Sequence, residues 1–108
     1  MEDAGIIDNA MTFLEKLRGM IVQIKFTKKD KSVRLMKCTL DFTHIPKTHQ
    51  PKSVNIPKIM KLIRTNNIIH VYDVEKHGWR SVPFTEVEWL VTTDNKRYRM
   101  RISNAKGI

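Results

Sequence analysis

The spacing of apolar positions changes near residue 20. Before it, Ile7, Met11, Leu14 and Leu17 recur at helical intervals, with Ala10 and Phe13 beside them. This spacing predicts an amphipathic helix over residues 6–18. Asp3 or Asp8 is expected to cap its start, Lys16 and Arg18 suit the negative end of its dipole, and Gly19 suits its end. From Met20 the period becomes two: Met20, Val22, Ile24 and Phe26 face one way, and Ile21, Gln23, Lys25 and Thr27 the other. That alternation predicts a half-buried strand. After a polar turn at residues 28–31, a β-rich run is expected over 32–42, with Met36, Cys38, Leu40 and Phe42 on its apolar side. Val33 and Leu35 fall on the opposite parity, which predicts a bulge or a strongly bent strand.

Pro46 and Pro51 make residues 43–55 a loop. A second short helix is expected over 56–66, with Asn55 as N-cap, Pro57 in the first turn and Asn66-Asn67 at the end. Its apolar stripe is Ile56, Ile59, Met60 and Ile63, and its basic stripe is Lys58, Lys61 and Arg64. Strands follow at 68–75, 79–84, 86–92 and 96–102. Lys76-His77-Gly78 is the first hairpin turn, with Gly78 expected at positive φ. Thr93-Asp94-Asn95 is the second turn, and Pro83 requires an edge strand or a bulge. Trp89 alternates with Val87 and Val91 and is assigned to the core.

The expected fold class is α+β, mainly β, as one domain over residues 1–108. An N-terminal helix lies within 1–19, and a small, strongly bent antiparallel barrel of Sm or SH3 type spans 20–102. The barrel carries the helix-like insert at 56–66, and residues 103–108 form a tail.

Composition narrows the classes. The 41% hydrophobic and 29% charged residues of this 108-residue chain describe a globular domain too short for a two-domain enzyme. Its single cysteine, Cys38, excludes an internal disulfide and fits a reducing cytoplasm. No apolar run approaches the ~20 residues of a membrane span, and Glu2, Asp3 and Asp8 stand where a signal peptide needs base. The net charge of +9 is concentrated: residues 16–64 carry +11 and residues 96–108 carry +5, with negative stretches between and before them. Such blocks suit either a solvated face or the footprint of a polyanion, and their segregation favours the polyanion.

Two segments resemble a known family. One runs from Phe26-Thr27-Lys28-Lys29-Asp30-Lys31 through Val33-Arg34-Leu35-Met36-Lys37-Cys38-Thr39-Leu40 to Ile45-Pro46. The other runs from Val71-Tyr72-Asp73-Val74-Glu75 through Lys76-His77-Gly78-Trp79 to Arg80-Ser81-Val82. In this order, over roughly residues 20–91, they resemble the second WYL-type domain family. Its members are small, mostly bacteriophage-encoded proteins with an Sm-like, SH3-type β-barrel. The resemblance implies that fold, a phage origin and the cytoplasm of an infected bacterial host. The helix-like insert at 56–66 departs from the family's shorter loop.

The sharpest chemical feature is the last basic strand. Arg97, Arg99 and Arg101 face one side of it while Tyr98, Met100 and Ile102 face the other. Same-face neighbours stand about 6.6–6.8 Å apart, close to the phosphate spacing of a single strand. The arginine forks suit phosphate contact, although an edge strand guarded against aggregation also carries like charges. A second cluster, Lys25, Lys28, Lys29, Lys31 and Arg34 with Lys37, surrounds the first hairpin. With Lys58, Lys61 and Arg64 it supplies enough cations for salt-dependent phosphate binding. Tyr72, Trp79 and Tyr98 are the stacking candidates, and Arg80 joins the binding set.

Catalytic signals are thin. Cys38 lies on an apolar parity, His44 and His49 share a loop without accompanying ligands, and no Gly-rich phosphate loop or nucleophile motif is present. The expectation is therefore a protein that is not an enzyme and uses no metal or cofactor. It binds nucleic acid, RNA before DNA, through backbone-directed charge, and barrel edge strands offer a route to homo-oligomers. The alternative is a phage interaction module that inhibits or redirects a host polymerase, nuclease or defence toxin, bridged in some cases by RNA.

Overall fold

A computed structural model describes residues 2–101. Its strands are β1 (Glu2–Ile7), β2 (Val22–Thr27), β3 (Val33–Thr39), β4 (Ile68–Asp73), β5 (Gly78–Pro83), β6 (Val87–Val91) and β7 (Lys96–Met100). Two helices, α1 (Ala10–Gly19) and α2 (Ile56–Asn66), accompany them, with single 3-10 turns at Phe42–His44, Lys47–His49 and Phe84–Glu86. All seven strands form one sheet in the order β1-β7-β6-β2-β3-β4-β5. The sheet bends over its core but does not close: among the described residues no ladder joins β5 back to β2, although the two approach. The expected closed barrel is thus an open, strongly curved sheet, with a seam between the two hairpins.

Period-two alternation sends Val22, Ile24 and Phe26 of β2, with Met36 and Cys38 of β3, into the core. Phe13, Leu14 and Leu17 of α1 lie over them, and Phe13 meets Phe84 edge-to-face at 5.3 Å. Burying each such side chain contributes about 1.5–3 kcal/mol. Helix α2 forms as expected: the Asn55 side chain accepts from the Lys58 N–H at 3.0 Å, and Asn67 closes the helix at φ 55° with its N–H on Ile63 O.

Several local expectations are corrected. Ile6 and Ile7, expected in the helix, belong to strand β1 instead, and α1 starts at Ala10 behind Asn9, not Asp3 or Asp8, as the cap whose side chain accepts from the Thr12 N–H at 2.9 Å. β1 runs parallel to β7, so the sheet is mixed and the arginine strand lies inside it, between β1 and β6. β3 has no bulge. Its ladder to β2 is unbroken from Val22↔Cys38 to Thr27↔Val33, and Val33 and Leu35 simply point away from the core. The irregularities fall between Lys25 and Phe26 opposite β6, and between Asp3 and Gly5 opposite β7.

β3 stops at Thr39, whose hydroxyl donates to Met20 O at 2.8 Å, and Phe42 belongs to a turn capped by Asp41. In the β4–β5 turn His77 takes the positive φ (56°), not Gly78, and the Asp73 carboxylate accepts from the Glu75 and Lys76 N–H groups at 3.0 Å each. Pro83 ends β5, an edge strand, as its missing N–H requires. Ile102 and the tail at 103–108 lie outside the described residues. Among the described residues no helix is long and apolar enough to cross a membrane.

Candidate nucleic-acid interface

The strand register places the cations in three separate groups. The first lies on the outward face of the sheet, opposite the core. Ile6, Arg99, Trp89, Lys25 and Leu35 are successive cross-strand partners over β1, β7, β6, β2 and β3. They form one row, about 19 Å long at the usual strand spacing of ~4.8 Å. A second row holds Asp3, Arg97, Val91, Gln23 and Lys37. A concavity of about 440 Å³ on this face is lined by Lys25, Trp89, Arg97 and Arg99 together with Asp3, Glu88 and Met100. Among the described residues no helix covers this face.

Trp89 was expected in the core; it is instead a half-buried member of this outward row. The cause is the register shift opposite Lys25 and Phe26. It lets Val87 and Leu90 both face inward, which turns Trp89 out. An indole flanked in register by a guanidinium and an ammonium can receive a base while the cations meet phosphates. Two of the cations are already engaged: Lys25 Nζ lies 3.2 Å from Glu88, and Arg97 Nε lies 3.7 Å from Asp3. These are partly solvated bridges, weak enough for a phosphate to displace. Arg99 has no acid within 4 Å among the described residues. Arg101 is exposed just beyond β7, its N–H donating to Ile7 O at 2.9 Å.

The second group sits at the open seam, on the core side of the same sheet. Phe26 and Met36 close the bottom of a groove of about 410 Å³, and Ile68 and Pro83 form its walls. Lys28, Lys29, Arg34 and Arg80 surround it. Arg34 shares the inward parity of Met36 and is fixed by a 2.6 Å ion pair with the buried Asp73. Asp30 keeps one negative charge in the hairpin turn, since the Ser32 hydroxyl holds its carboxyl below the usual range. Lys31 takes the left-handed position of that turn, φ 73°, and is exposed. The third group, Lys58, Lys61 and Arg64, is exposed along α2, which packs on β4.

Two aromatic expectations change. Tyr72 is buried to 1% exposure, its hydroxyl 2.7 Å from His49 Nδ1, so no base can stack on it. Trp79 is half-buried against Tyr72 and donates from its indole nitrogen to His49 O at 2.8 Å, which pins the 43–55 loop to β5. Tyr98 faces the helix side, under the Lys16 ammonium at 4.5 Å from the ring centre. Cys38 is fully buried, and burial, with the Asp73 charge second, pushes its thiol up to about 12. A thiol so placed stays protonated and is no nucleophile.

An open, bent sheet of this kind, with a helix over one face and charged hairpins at its seam, is the class of small Sm-like β-folds. Residues 10–86 match the model of the WYL_2 family, described as an Sm-like SH3 beta-barrel fold, and the chain belongs to that family. The match starts at α1 and ends before β6, so it holds the seam but not Trp89 or the arginine strand. No curated protein and no solved structure matches the chain.

Proposed function

We propose that this chain is a non-enzymatic, phage-encoded nucleic-acid-binding protein that works in the cytoplasm of the infected bacterium. The observation that carries the reading is the in-register row Arg99–Trp89–Lys25 on an uncovered sheet face, with Arg97 beside it. A single strand laid over this face meets Arg97 and Arg99 about 6.7 Å apart, near phosphate pitch, with Lys25 about 9.6 Å from Arg99 across the sheet and an indole between them for one base. Backbone contacts of this kind are sequence-tolerant. RNA is placed before DNA by analogy of fold. The seam cations extend the positive surface, and the sheet edges β1 and β5 are the route to self-association.

A Trp79→Phe variant leaves Trp89 as the reporter indole. Titration with oligouridylate and oligothymidylate at low salt is expected to quench its fluorescence, with RNA the tighter ligand. Trp89→Ala is expected to weaken filter-retained binding about tenfold, within the range measured for one base–aromatic stack. Unchanged fluorescence at saturating oligonucleotide would remove this face from the account.

The rival reading, docking on a host protein, draws on Val33 and Leu35, which are 60% and 54% exposed beside Lys25. It predicts that capture of a specific partner from nuclease-treated lysate survives Arg99→Ala and is lost with Val33→Ser/Leu35→Ser.

A further inference from the structure

The groove at the seam has a chemistry different from that of the outward face. Its interior is apolar, formed by Phe26, Met36 and Ile68, and its volume of about 410 Å³ falls in the usual range for a small-molecule site. Its cations come from two different hairpins, Lys28 and Lys29 from the β2–β3 turn and Arg80 from β5. None of these three has a carboxylate within 4 Å among the described residues, whereas the neighbouring Arg34 is held by Asp73. Arg80 is also directed: its Nη1 donates to Trp79 O at 2.9 Å, which leaves the rest of the fork for a ligand.

Three cations with no carboxylate within 4 Å, around an apolar floor, call for a ligand with a compact apolar body and a multiply charged head. We propose that the groove binds a nucleoside phosphate, with base and sugar against Phe26, Met36 and Ile68 and the phosphate against Lys28, Lys29 and Arg80. The same chemistry is presented by a free mononucleotide and by the phosphorylated end of a strand. Phe26 and Lys25 are adjacent in β2 but point to opposite faces, so the groove is a second site and not an extension of the Trp89 row.

Methyl-resolved NMR of the full chain tests the assignment. Adenosine 5′-monophosphate is expected to shift the Met36 and Ile68 methyl signals saturably, and adenosine to need at least about tenfold more ligand, the scale of one charge-assisted hydrogen bond. Lys28→Ala/Lys29→Ala changes only exposed turn residues and keeps the fold; with Arg80→Gln as a second variant, each is expected to weaken the nucleotide about tenfold. A 5′-phosphorylated tetra-adenylate binding more tightly than the mononucleotide identifies a strand end as the ligand. The reverse order identifies a free nucleotide. Unmoved Met36 and Ile68 methyls at millimolar nucleotide, or equal affinity for adenosine, would overturn the proposal. Trp89→Ala is expected to leave these shifts unchanged, so the two sites fail or succeed separately.

Discussion

Asp73 is the residue on which most local geometry converges. One carboxylate oxygen accepts from Arg34 at 2.6 Å, and the other accepts from the Glu75 and Lys76 N–H groups at 3.0 Å each. It therefore shapes the β4–β5 turn and anchors an arginine at the seam. Asp73→Ala is expected to cost about 3 kcal/mol or more in urea unfolding, because it strands a partly buried cation and two N–H donors. Arg34→Ala costs less, since Arg34 is partly exposed and the Asp73 carboxylate keeps its two backbone donors.

Cys38 gives a pH-dependent counterpart. Its folded pKa, about 12, lies above the ordinary 9.0, so the folded state holds this proton more tightly. The resulting stability is complete below pH 9 and is lost as pH rises through 12, at up to about 1.4 kcal/mol per pH unit. Iodoacetamide at pH 8 is expected to leave Cys38 unmodified in the native protein and to alkylate it in denaturant, as read by mass. Alkylation at the rate of a free thiol under native conditions contradicts the buried placement.

At the scale of elements, local chemistry decides some boundaries and long-range pairing decides others. Helix α2 was legible to the residue because its signals are local: the Asn55 cap, Pro57 in the first turn and the left-handed Asn67. Asn55→Ala is expected to lower stability by about 1 kcal/mol in thermal or urea unfolding, and an unchanged midpoint would deny the cap its role. β1 was not legible, because Ile7 fits helical spacing with Met11 and Leu14 as well as it fits a strand. Its partner β7 lies about ninety residues away, and only that parallel pairing selects the strand. Trp89 was misassigned for a related reason. A two-residue period describes one strand, and the register shift that turns Trp89 outward depends on β2 as well as β6.

For the whole molecule, the positive surplus resolves into an outward sheet face, a seam and the exposed side of α2. Arg97 and Arg99 were legible as one face of a strand, but not that the strand ends before Arg101 or lies inside the sheet beside Trp89 and Lys25. At the seam, Lys28, Lys29 and Arg34 were legible as one hairpin cluster, but not that Arg80 of β5 joins them where the sheet stops short of closure. The salt dependence of RNA binding tests the central claim most directly, comparing the wild-type chain with Arg97→Ala/Arg99→Ala. Each lost phosphate contact lowers the slope of log affinity against log salt by about 0.7 for a single strand. The account predicts a slope shallower by about 1.4 in the double variant, with the fold intact by circular dichroism. Equal slopes in the two proteins, or no binding by the wild type at low salt, would contradict it.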